Sequence, residues 1–162
     1  MTTEGKELEI EFSWGTFCRG ILDEGTERSL YHVMPALAAN IEVEAAAKGE
    51  AVQISIGRLA LYAVIARRPG VTGDVSFPLL VEMVLEREGT KEGINKMELE
   101  IKIVGHHKTN QVAFRLGEVE IPIMARTGLQ ELNLEARFST AGQVLGSVRF
   151  PIECDVLIRG SE

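Results

Sequence analysis

Met97-Glu98-Leu99-Glu100-Ile101-Lys102-Ile103 sets an apolar side chain at every second position and a charge at each position between them. Successive side chains of a strand point to opposite faces, so this period of two describes a strand with one face buried and one in water. The same alternation recurs on both sides of that stretch. Leu8, Ile10 and Phe12 show it early; Val119, Ile121 and Ile123 follow later. Leu132, Leu134, Ala136 and Phe138 continue it, and Val148, Phe150, Ile152, Cys154 and Val156 make the last run. Five such runs predict half-buried antiparallel sheets.

Turn residues fall between the runs. Gly20 to Arg28 reads as a polar loop, and Arg68-Pro69-Gly70 as a turn. Glu86 to Lys96 is charged and carries Gly89 and Gly93. Gly105 to Asn110 and Ser139 to Gln143 are short enough for hairpin turns. Pro78, Pro122 and Pro151 stand inside strand-like runs, and a proline cannot donate to a ladder, so edges, bulges or strand starts are expected there. Pro35 to Lys48 is rich in alanine yet also alternates; it predicts a strand ending near Ala45, with a short helical turn through Ala45-Ala46-Ala47. The whole, residues 1–162, reads as one all-β domain, an antiparallel β-sandwich of about eight or nine strands. A β-barrel is the alternative, because alternation alone does not separate the two.

Composition narrows the function classes. The chain has 162 residues, with 17 Lys and Arg against 24 Asp and Glu, for a net charge of −7. An acidic balance disfavours nucleic acid and anionic membranes as partners. No apolar window reaches the ~18 residues of a membrane-spanning helix. The opening Met1-Thr2-Thr3-Glu4-Gly5-Lys6-Glu7 lacks a basic segment followed by an apolar one, so no signal peptide is expected and a cytoplasmic location is the default. In that setting Cys18 and Cys154 are expected as reduced, buried thiols.

Chemistry-bearing motifs are missing. There is no phosphate-cradling glycine loop, no paired-histidine zinc motif and no nucleophile elbow. His106 and His107 are neighbours, and adjacent strand residues diverge unless a turn bends them together. With His32 elsewhere, three or four converging metal ligands are not expected, and neither is a cofactor. Trp14 and Phe12 would share the core face with Leu8 and Ile10, although an aromatic platform for a sugar is the minority reading. Non-enzymatic function is the expectation.

Alternation fails in two places. Leu59-Ala60-Leu61-Tyr62-Ala63-Val64-Ile65-Ala66 is apolar on both faces, and the second face of Val75 to Leu85 carries Leu80 and Val84. Strands apolar on both sides are covered on both sides, whereas a two-layer sandwich covers one. Either a further segment folds over the outer face or another chain does. Tyr62, Leu80 and Val84 are therefore the candidate interface, meeting in one self-association contact.

Cys18 to Asp23, Arg28-Ser29-Leu30-Tyr31, Leu59-Ala60-Leu61-Tyr62 and Phe150-Pro151-Ile152 give an order of pieces that resembles a bacterial family of small uncharacterised cytoplasmic β-sandwich proteins. Glu27-Arg28 stands where that family's second segment has Gly-Lys. The resemblance implies the sandwich fold and carries over no functional residue. The functional expectation is a non-catalytic protein-interaction or assembly module, self-associating or bound to another protein, as in a subunit of a larger particle. A sandwich binding a small ligand or carbohydrate is the alternative.

Overall fold

The computed structural model describes residues 8–24 and 27–160. The reading of Met1 to Glu7, and the tip of the first expected loop at Gly25 and Thr26, lie outside them. Nine strands follow one another: β1 (Ile10–Glu24), β2 (Glu27–Met34), β3 (Leu37–Glu44), β4 (Ala51–Arg67), β5 (Val75–Arg87), β6 (Thr90–Ile103), β7 (Thr109–Met124), β8 (Gly128–Thr140) and β9 (Gln143–Arg159). They form two sheets, a four-stranded one ordered β2-β1-β4-β7 and a five-stranded one ordered β3-β9-β8-β5-β6. The fold is an all-β sandwich.

The alternating runs supply its core. Leu59, Leu61, Ala63 and Ile65 of β4 face Val81, Met83 and Leu85 of β5 and Leu134, Ala136 and Phe138 of β8 across one continuous apolar interior. Aromatic pairs cross the two layers, Phe17 on Phe150 at 5.4 Å between ring centroids and Phe12 on Phe138 at 5.2 Å. Glycines let the layers approach closely at this end. A Cβ built on Gly15 would lie 2.7 Å from Cγ2 of Val148 and 2.9 Å from the carbonyl oxygen of Tyr62. One on Gly146 would lie 2.7 Å from the Phe12 ring.

Turn chemistry is strict. Glu88 and Gly89 (φ 49° and 78°) connect β5 to β6, and Ala141 and Gly142 (φ 49° and 78°) connect β8 to β9. Two consecutive left-handed residues match the right-handed twist of the flanking strands, as tight hairpins need. The three strand prolines stand where a ladder partner is missing. Pro78 precedes the first β5–β8 pair, Leu80 with Ser139; Pro151 precedes the first β3–β9 pair, Leu37 with Ile152; Pro122 is on the edge strand β7. The alanine-rich stretch is a strand to Glu44 and then a single 3-10 turn through Ala45–Ala47.

Five expectations need correction. Of Glu86 to Lys96 only Glu88 and Gly89 form the turn, and the rest belongs to β5 and β6. The Gly20 to Arg28 region is strand up to Glu24 and again from Glu27, with these two residues paired across the hairpin. Gly105 to Asn110 is no hairpin within a sheet, for it carries the chain from β6 in one sheet to β7 in the other. The sandwich is not wholly antiparallel, because β3 runs parallel to β9. Strand β3 arrives from the opposite sheet through Pro35 and Ala36, and that crossover sets its direction. Finally, Trp14 does not share the core face with Phe12. A bulge between them, opposite Ile65 and Val64, inserts Ser13 and turns Trp14 outward.

Candidate functional site

The outer face of the four-stranded sheet is the apolar one, and most of it is covered by the chain itself. Ala60, Tyr62 and Val64 alternate with the core residues of β4, so they point away from the core, and Cys18 of β1 joins them. After Cys18, whose partner is Ala60, β1 leaves β4 and continues with β2 alone as a hairpin. Ile21 and Leu30, partners across that hairpin, pack on Cys18, Tyr62 and Val64. The hairpin reaches over β4 as far as β7. Arg115 Nη2 donates to the carbonyl oxygen of Ile21 at 3.0 Å and to Asp23 Oδ2 at 3.2 Å. Arg28 donates through Nε to Asp23 Oδ1 at 2.8 Å and through Nη1 to the carbonyl oxygen of Gln111 at 3.3 Å. Arg115 above all, and Arg28 with it, holds the Asp23 carboxyl below its ordinary range.

This flap answers the question posed by Leu59 to Ala66. The second apolar face is covered by the β1–β2 hairpin, and Tyr62 is left only 6% exposed. Burial pushes its phenol up from the ordinary value. Trp14 packs against it in a tilted arrangement, with ring centroids 5.2 Å apart.

Leu80 and Val84 lie elsewhere. They belong to β5, on the outer face of the five-stranded sheet, so the sandwich separates them from Tyr62 and the three residues do not share a contact. Their surroundings are charged. Leu80 lies opposite Glu98 and Ser139, in a depression of about 620 Å³ also lined by Glu82, Glu98 and Glu100. Val84 lies opposite Glu135, whose side chain is buried between Arg137 (Nε to Oε1, 2.6 Å) and Arg149 (Nε to Oε2, 3.7 Å). Glu135 first, then Glu82 and Glu86, raises the Arg137 guanidinium above its ordinary value. Leu80 and Val84 are half-buried within this ionic surface and form no apolar patch.

Among the described residues, four of the exposed large apolar side chains lie on the hairpin and its root. The others, Ile94, Val104, Leu129, Val144 and Leu157, belong to the β6–β7 link and the five-stranded sheet. Trp14 is 48% exposed, Tyr31 48% and Val33 54%, with Leu22 close behind. Strand β2 is also a free sheet edge, and its stretch Leu30-Tyr31-His32-Val33-Met34 has no acid, lysine or arginine. The other three edges are protected in the usual ways. Strand β6 carries Lys91, Lys96 and Lys102, β3 carries Glu42 and Glu44, and β7 carries Pro122 and a bulge at Gly117. His32, at φ 48°, bends β2 midway, so the edge offers side chains more than a continuous ladder.

His106 and His107 do come together in the β6–β7 link, with ring centroids 4.3 Å apart. Among the described residues no group of three or more His, Cys, Asp or Glu side chains is placed to hold a metal ion. No described helix is long and apolar enough to cross a membrane. Cys18 and Cys154 are free and buried, and burial raises both thiols above the ordinary value. Thiolate is the reactive form, so both should resist alkylation in the native protein at neutral pH and react fully after unfolding. Mass spectrometry after a timed iodoacetamide pulse measures this, and rapid native labelling at Cys18 would contradict the covered position under the hairpin. No protein-family model matches the chain, and no curated protein does.

Proposed function

We propose that this protein is a non-catalytic interaction and assembly module that associates with a second copy of itself through the β1–β2 hairpin. The observation carrying this reading is the gathering of Leu22, Tyr31 and Val33 on one hairpin, with Trp14 at its root, beside an edge whose Leu30 to Met34 carries no acid, lysine or arginine. Fully burying an aliphatic side chain is worth roughly 1.5–3 kcal/mol, so covering several together is a substantial drive to association. A two-fold dimer is the simplest cover, because one surface then serves both partners. A reducing, cytoplasmic setting accords with the two buried free thiols.

Size exclusion with light scattering tests the proposal. The wild type is expected as a dimer or larger at tens of micromolar, and Tyr31→Lys with Val33→Lys is expected to run as a folded monomer. Val84→Lys, on the opposite face, should leave the mass unchanged. A monomeric wild type would refute self-association, and dissociation by Val84→Lys alone would move the contact to the other sheet.

A further inference from the structure

Two neighbouring strands bulge at one place beside the hairpin. In β4 the register slips between Ser55 and Arg58, where Gly57 takes φ 82°; in β7 it slips near Gly117, at φ 69°. The Arg19 side chain fastens the first bulge. Its Nη1 donates to the carbonyl oxygens of Ile56 at 2.6 Å and Arg58 at 3.1 Å. The guanidinium rests against Gly57, where a Cβ would come within 2.8 Å of Nη1. Only glycine leaves that seat open.

Arg19, Arg58 and Arg115 line one depression of about 410 Å³, with the backbone of Gly20, Ala60 and Gly117 between them. Arg28, Arg115, Arg126, Arg137, Arg149 and Arg159 each have a carboxylate partner. Arg19 and Arg58 have none among the described residues. One carboxylate, Glu118, also lines the depression, opposite Arg58 across the β4–β7 ladder, and it accepts a hydrogen bond from Ser55 Oγ at 2.8 Å. Three arginines thus line one depression on a chain whose net charge is −7. Arg19 is already oriented by backbone carbonyls that cannot neutralise it.

We propose that this depression binds the oxyanion of a small molecule, a phosphate or carboxylate group held by Arg19 and Arg58 with Arg115 beside them. Guanidinium forks match the paired oxygens of either group, and fixing Arg19 beforehand lowers the ordering cost of binding. Asp23, bonded to Arg115, is the internal competitor. The site shares Gly20 and Ile21 with the hairpin but does not rest on the self-association proposed above.

Calorimetric titration of the full-length protein with inorganic phosphate and, separately, with acetate tests it, at constant ionic strength in a chloride background. Saturable binding of at least one anion is expected, and which of them binds gives the class. Arg58 is exposed, so Arg58→Gln should fold and should weaken binding at least about tenfold, the loss of one charge-assisted hydrogen bond. Asp23→Asn should tighten it by freeing Arg115, while Arg149→Gln on the far sheet should change nothing. Absence of saturable binding to either anion overturns the proposal. So does equal weakening by Arg58→Gln and Arg149→Gln, which would mean diffuse charge attraction alone.

Discussion

Gly15→Val is expected to destabilise the protein by about 3 kcal/mol, the upper part of the range for forcing extra methyl groups into a packed interior. At this chain length that corresponds to a fall of about 6–12 °C in Tm. The physical cause is specific. The new Cβ would press on Val148 Cγ2 at 2.7 Å and on a backbone oxygen, that of Tyr62, at 2.9 Å. A side chain can rotate aside, but the β4 backbone is held between β1 and β7 and has little freedom to yield. Gly20→Val on the same strand is the control, because a Cβ there meets nothing within 4 Å. Thermal denaturation of the two variants decides the matter; equal Tm values would mean that the layers are not in contact at Gly15.

Gln130→Leu should cost about 2 kcal/mol, although leucine matches the surroundings of a strand entering the core. Gln130 is a buried polar residue near the start of β8, and its amide acts as a short surrogate strand for the β7–β8 turn. Its Oε1 accepts from the Met124 N–H at 2.9 Å, and its Nε2 donates to the Met124 carbonyl oxygen at 2.6 Å. The carbonyl keeps a second donor in the N–H of Arg126, so the lasting loss falls on the Met124 N–H. Gln130→Glu retains the acceptor but near neutral pH buries a charge and sets a second oxygen against the Met124 carbonyl, so it should be no more stable than the leucine variant. Urea titration of the three proteins measures this order, and a leucine variant as stable as wild type would show that water replaces the amide.

Much of the sandwich is written in the alternation, because a strand with one dry face must repeat every two residues. Runs such as Leu132 to Phe138 and Val148 to Val156 fall within single strands with their apolar members inward. What alternation does not encode is which sheet a strand joins. Leu59 to Ala66 and Val75 to Leu85 both read as apolar on two faces, yet they lie in different layers, so Tyr62 and Leu80 face away from each other. Nor does a period of two announce an inserted residue. The bulge at Ser13 reverses every face on one side of it, and Trp14 moved from core to surface for that reason alone. Arg19 carries no signal of its own in the sequence, because its partners are carbonyls of an irregular backbone around Gly57. An unusual glycine inside an otherwise strand-like run, Ile54-Ser55-Ile56-Gly57-Arg58-Leu59, was the available signal.

The parallel pairing of β3 with β9 also governs the order in which this chain can acquire its shape. The hairpins β5–β6 and β8–β9 join neighbours in sequence and can close early, each across a two-residue turn. Strand β3 must wait, since Leu37 finds Ile152 only after five intervening strands have been made and arranged. Such distant pairings incur most of the loop-closure entropy before any contact offsets it, which places folding in the millisecond-to-second regime of non-local β proteins. Until β9 arrives, β3 and the interior it borders have nothing to close against, and the unfinished five-stranded sheet is the species most open to misassociation during synthesis.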